Sequence, residues 1–438
     1  MIILRLTGDS MLSKLFLILI LSTITIIGCS EDASNKDYWK VSIKEESVIV
    51  NNEGSKKTSF VLSDSRLPIV FIDTNGVAIV DKENDISGTM TILESDGNKT
   101  TYDLTIRGRG NATWKYEKKP YKIKLDKKSE ILGMKANKSW VLLANYTDKS
   151  LIRNTVANET SRIVGMDWTP DTRYVELVIN GEYLGNYQLS ESVKEGKNRV
   201  PLDEESGFLI ENDNYYIYEP LYITTAYGTN FTFKYPDEPS SEELEYINEY
   251  MNKFEKALFE KDWSDSETGL SNYIDMDSFA KWFLVQSINY NLDTNYYFWK
   301  EDNTDDTKLK MGPVWDFEWT LGSGWQYGPR PSQEHGIFNR QRYITQLLEN
   351  DDFKKKVYEI WIEIEPDLRE KLWKKIDDTV AEIYKSQEFN YIRWDTLNLQ
   401  VSVGPYPLGS YDKEVQCDKE YLMAQIDFLD KSIRSWME

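Results

Sequence analysis

Histidine is nearly absent from the chain: its 438 residues include a single one, His335, in the loop-like segment PSQEHGIFN. That excludes a His-rich metal site, and a Ser-His-Asp triad would rest wholly on this residue. The two cysteines, Cys29 and Cys417, cannot build a disulfide framework. Cys417 reads as a plain thiol ahead of the last helix-like segment. Positive charge is scarce as well. Lys and Arg number 52 against 73 Asp and Glu, a formal charge of -21, and no long basic block offsets it. Such a surface repels nucleic-acid phosphate, so nucleic acid is excluded as the main partner. Chemistry is left to carboxylates, lysines, arginines, amides and backbone groups. Apolar residues make up 40% of the chain, with 14 Trp and 28 Tyr, enough for a large core and for aromatic packing or a binding groove.

The export reading rests on one apolar run. Residues 11–28 read MLSKLFLILILSTITIIG, with Lys14 as the positive start and Leu15 to Ile27 as the run. That is the length of a signal peptide, short for a membrane span. The run ends in Ile26-Ile27-Gly28-Cys29, which resembles a bacterial lipobox, with Cys29 as the lipidated residue. Ser30, Glu31 and Asp32 follow, like the surface-export signal of Bacteroidetes-type lipoproteins. The expected organisation is a lipoprotein signal peptide at 1–28 and a polar tether at 29–58. A β-rich part at 59–195 and a mainly helical part at 196–438 follow. The expected location is the cell envelope, lipid-anchored to the outer membrane and facing outward.

Periodicity places the elements. One strand is read at Val41–Val50, and LPIVFIDT (67–74) reads as a buried strand. GTMTILES (88–95) and TTYDLTIRG (100–108) flank the hairpin turn Asp96-Gly97-Asn98. In PYKIKLD (120–126), Tyr121, Ile123 and Leu125 alternate with Lys122 and Lys124. A helix over 148–164 is started by Asp148, and the strands 173–180 and 182–192 meet at Asn180-Gly181. Beyond about residue 238 the pattern turns helical. Ser240 and Glu243 have capping-box spacing, and helices are predicted over 276–291, 351–387 and 418–437. NYYFWK (295–300) and LKMGPVW (309–315) read as a hairpin.

Three segments could carry chemistry. RGRGNATW (107–114) puts two glycines among Arg107, Arg109, Lys118 and Lys119, which reads either as a Gly-bearing turn or as a phosphate cradle. MGPVWDFEW (311–319) sets Asp316 and Glu318 just beyond an apolar strand end, where two carboxylates can grip a hard divalent cation. NYNLDTNYYF (289–298) places Asn291, Asp293 and Asn295 between a buried helix and a strand. It is an Asn/Asp turn by itself, or a loop whose Asp accepts a hydroxyl proton and whose Asn holds a metal.

Taken in order, RGRGNATW, KKPYKIKLD, LGMKANKSWVLLANYTDKSLIRN, VELVINGEYLGNYQLSESV, FAKWFLVQSINYNLD and MGPVWDFEW resemble the spore-coat CotH kinase family over roughly residues 60–340. The resemblance implies an α+β chain with a two-lobed, atypical protein-kinase-like fold. Its N-lobe is β-rich with one inserted helix and its C-lobe mainly helical. The implied activity is phosphate transfer from ATP, with Mg²⁺ or Mn²⁺, to Ser/Thr of envelope or surface proteins. The alternative is a catalytically inactive surface binding or assembly lipoprotein on the same fold. By the resemblance, Asp316 binds metal with Glu318 and Asn295, and Asp293 is the catalytic-loop carboxylate. Lys124, then Lys122, pairs the α/β-phosphates, with Arg107 and Arg109 nearby. Gln188 and Glu191 fall in a hinge-like stretch close to the adenine. Three positions depart from the family pattern: Glu318 stands where the family has a second Asp, Asn295 follows Asp293 by only two residues, and Glu159 is the only Glu in the 148–164 helix.

Overall fold

The computed structural model describes residues 38–44, 47–54, 57–261, 263–291, 296–322, 336–339, 341–401 and 406–438. The export segment and Cys29, Asp293, Asn295 and His335 lie outside the described residues. No described helix is long and apolar enough to cross a membrane.

The architecture corrects the two-lobed kinase-like expectation. The first part of the chain closes into a seven-stranded barrel rather than an open lobe sheet. Its strands are β4 (Ile69–Asp73), β5 (Ile86–Leu93), β6 (Lys99–Gly108), β7 (Tyr121–Ile131), β8 (Met134–Leu143), β9 (Thr172–Ile179) and β10 (Glu182–Glu191). The hydrogen-bonded order is β10-β8-β7-β6-β5-β4-β9, and β9 pairs back to β10 to close the ring. Only the β4–β9 pairing is parallel within it. Period-2 alternation gives the strands an apolar side to turn inward. Val70, Met90, Ile106, Ile123, Trp140, Leu177 and Leu189 are buried in that interior. The alternation read in 120–126 extends further than expected, because β7 runs on into a tight turn and returns as β8. The expected single N-terminal strand is a hairpin, β1 (Trp39–Lys44) and β2 (Ser47–Asn52), with β3 (Ser59–Val61) beside it, hung on β10.

A second sheet of five strands runs β12-β13-β11-β14-β15. Its members are β11 (Phe208–Asn212), β12 (Tyr222–Thr224), β13 (Asn230–Tyr235), β14 (Tyr296–Lys300) and β15 (Lys310–Met311). The hairpin expected from 295–315 is β14 and β15. The other three strands arise from 208–235, a stretch without clear alternation.

Six α-helices are present among the described residues: α1 (Arg153–Val164), α2 (Ser241–Phe259), α3 (Met276–Asn289), α4 (Arg342–Leu347), α5 (Asp351–Arg393) and α6 (Tyr411–Arg434). The Ser240–Glu243 capping box forms at α2, each member satisfying a backbone N–H of the first turn. Asp148 acts at a distance: its Oδ2 accepts from Arg153 N at 3.0 Å while α1 itself begins only at Arg153. α1 and α5 cover the outer side of β9 and β10, so most residues of these two strands are buried on both faces. α3, α5 and α6 pack on one another around Phe283, Trp361, Leu372 and Ile426.

Candidate functional site

A cleft of about 440 Å³ opens between the outer face of the barrel and the second sheet. Its barrel wall carries Arg109, Lys118, Asn145, Asn154, Asn158 and Ser190. Its sheet wall carries Glu211, Asp213, Lys234 and Tyr297, and the 315–319 segment joins the two.

Asp316 is exposed in this cleft and takes a left-handed backbone, φ 63°. An Asp tolerates that region better than most residues, but it still costs energy that the surroundings must hold in place. The surroundings are specific. Phe317 N donates to Asn154 Oδ1 at 2.9 Å, and Asn291 Nδ2 donates to the Asp316 carbonyl at 3.4 Å.

Glu318, two residues on, has a different task. It is buried, and its Oε1 accepts from the backbone N–H of Thr147 at 2.6 Å and of Asp148 at 3.3 Å. Burial raises its pKa, an effect these hydrogen bonds oppose. Trp319 Nε1 donates to Thr147 Oγ1 at 3.0 Å, and Arg153 Nη1 donates to the Glu318 carbonyl at 3.2 Å. Arg153 in turn is buried between Asp418 on α6 (3.0 Å) and Asp148 (3.6 Å). The 316–319 segment is thus stitched to the loop after β8, and α6 braces the stitch.

Lys118 is the cleft residue that sequence reasoning underrated. It stands just before the Pro120 that opens β7, is 1% exposed, and donates from Nζ to Asn186 O at 2.5 Å and Asn390 Oδ1 at 2.9 Å. Both acceptors are neutral. Burial pushes its ammonium down to about 7, with Glu318 and Glu176 opposing. Lys122 and Lys124 stand exposed on the outer face of β7 and do not line the cleft. Arg109 does line it, its guanidinium 5.6 Å from the Trp315 ring centre. Arg107 lies away from it, 3.5 Å from Asp85. Gln188 and Glu191 are buried outside the lining. Gln188 binds Asn145 and Thr155, and Glu191 sits 3.4 Å from Arg199 and accepts from Asp171 N.

Glu211 and Asp213 are carboxylates the sequence reading missed. They leave the apolar strand FLI as E-N-D, the same grammar that singled out Asp316 after GPVW. Glu211 pairs with Lys234 at 2.9 Å. Burial first, then the charges of Glu211, Asp316 and Asp213, hold the Tyr297 phenol well above its ordinary pKa, and Arg109 opposes them. Glu211, Asp213, Asp316 and Arg109 all line the cleft around Tyr297.

For a divalent cation, the described donors do not close a site. No group of three or more His, Cys, Asp or Glu among the described residues is arranged to hold a metal. Of the expected ligands, Asp316 faces the cleft, Glu318 spends an oxygen on backbone amides, and Asn295 is not described.

Residues 106–429 match the family described as CotH kinase protein. The match spans well over half of the chain, and the protein belongs to that family. No curated protein matches the chain.

Proposed function

We propose that this CotH-family protein is a phosphotransferase whose cleft receives ATP and hands its terminal phosphoryl group to a Ser or Thr hydroxyl of an envelope protein. The observation that carries the reading is the meeting, in one cleft, of Asp316 in a left-handed backbone with the guanidinium of Arg109. A backbone of this kind is retained where a site requires it, and a cationic group facing a cleft suits phosphate oxygens. Arg109 binds and orients the phosphates. Asp293 remains the proposed carboxylate that orients the acceptor hydroxyl. A Mg²⁺ or Mn²⁺ ion bound with the nucleotide would neutralise phosphate charge, with Asp316 as the described carboxylate exposed to it. Lipidation at Cys29 and an outward-facing envelope location complete the proposal and rest on the N-terminal sequence.

Incubation with Mg-ATP or Mn-ATP should yield phosphoprotein by mass spectrometry, and Asp316→Ala should lose about 100-fold or more in rate. Equal labelling by wild type and variant would sink the reading. A specific observation favours a second one, a surface binding protein without catalysis: Oε1 of Glu318 is committed to two backbone amides. Absence of any thermal shift with nucleotide and metal would select it.

A further inference from the structure

Asp316 and Asn145 both line the cleft and both take a left-handed backbone (φ 63° and 48°), and one side chain bonds Asn145 and the residue that follows Asp316. Asn154, in the first turn of α1, accepts from Phe317 N at 2.9 Å through Oδ1 and donates from Nδ2 to Asn145 Oδ1 at 3.2 Å. Behind it the chain of amides continues between α1 and the outer face of β10 and β9. Asn145 Nδ2 donates to Gln188 Oε1 at 3.0 Å, Gln188 Nε2 to Thr155 Oγ1 at 2.7 Å, and Thr155 Oγ1 meets the Tyr174 hydroxyl at 2.8 Å. All of these side chains are buried, so each bond is expensive to lose. The peptide unit joining Asp316 to Phe317 is held at both ends, its carbonyl by Asn291 and its N–H by Asn154.

We infer that Asn154 is the positioning residue of the site: by fixing the 316–317 peptide it sets the direction in which the Asp316 carboxylate enters the cleft, and through Asn145 and Gln188 it ties that direction to the barrel wall. This rests on the reading of Asp316 as a working residue. Release of the N–H would let Asp316 relax to negative φ and swing its side chain away, and a misplacement of about 1 Å can cost about 100-fold in rate.

The test compares Asn154→Leu, which removes both bonds, with Asn154→Asp, which keeps an acceptor for Phe317 N–H. In the Asp variant the amides of Asn145 and Gln188 can flip so that each still meets a partner. Phosphoryl transfer, melting temperature and amide hydrogen exchange over 316–319 are measured, each also in the Asp316→Ala background. Expected are a loss of about 100-fold in kcat for Asn154→Leu, with recovery to within about tenfold of wild type in Asn154→Asp. The Leu substitution should have no further effect once Asp316 is gone. Exchange over 316–319 should rise in Asn154→Leu and not in Asn154→Asp. Full rate in Asn154→Leu, an equal loss in both backgrounds, or unchanged exchange would overturn the inference. If wild type transfers no phosphate, the functional reading fails by itself, and the exchange measurement still decides the clamp.

Discussion

The two walls of the cleft satisfy their buried polar groups by different means. On the barrel wall, polar groups are mostly spent on one another: Asn145, Asn154 and Gln188 form a chain, and Glu318, Asp148 and Arg153 form a stitch. On the sheet wall, the carboxylates of Glu211 and Asp213 are buried beside Tyr297, with Lys234 as the cation paired to Glu211. The barrel wall lies over a closed apolar interior and under two helices, so its polar groups must be satisfied internally. The sheet wall holds its charge by pairing instead: Lys234 answers Glu211, and the backbone N–H of Tyr215 donates to Asp213. Asp316 and Glu318 stand where the walls meet, and two residues of chain are enough to assign one to the cleft and the other to the seam.

Removing the brace of the barrel wall should have the largest effect on stability. Arg153→Met leaves Asp148 and Asp418 buried without their cation and should cost about 3–5 kcal/mol in urea unfolding. A loss below about 1 kcal/mol would mean that α6 does not hold the seam.

Glu318→Asp sharpens the contrast further, because it restores the acidic pair of the family pattern. Metal ligation as the main role of Glu318 would leave that variant as stable as wild type and at least as active. The geometry gives the opposite outcome. A side chain one methylene shorter retracts from Thr147 N and Asp148 N, and melting should register a loss of about 1–3 kcal/mol.

A pH dependence is expected as well. In the folded protein Lys118 loses its proton near 7, and in the unfolded chain near 10.5. Between these values the unfolded state binds the extra proton, so this residue makes stability rise with pH. The slope approaches about 1.4 kcal/mol per pH unit. Urea midpoints compared at pH 7 and pH 9 should show this rise in wild type, and Lys118→Met should flatten it. The same slope in both proteins would place the titration elsewhere.

Much of the barrel was legible one strand at a time. The alternation in 120–126, the Asp96-Gly97-Asn98 turn and the Asn180-Gly181 turn all mark real strands and hairpins. Closure was not legible, because it depends on β9 pairing with both β4 and β10, contacts far apart in sequence. The same limit governed the site. Lys122 and Lys124 sit in the strand that resembles the family pattern, yet alternation turns them outward on β7, and the residue that reaches the cleft, Lys118, precedes the strand. Gln188 and Glu191 sit at the end of β10 as expected, but the covering helices bury them.

By itself the sequence determined the apolar faces, the turns, the capping box of α2 and the family, since these depend on residue type and short spacing. It also marked Asp316, through its place at the end of an apolar run. Tertiary structure alone decided which carboxylates and lysines face the cleft. Exposure and hydrogen-bond partners are set by chain segments more than a hundred residues away: Asn154 for Phe317, Thr147 for Glu318, Asn390 for Lys118. A charge in a sequence has no direction until the fold gives it neighbours, and here those neighbours gave Asp316 to the cleft and Glu318 to the seam.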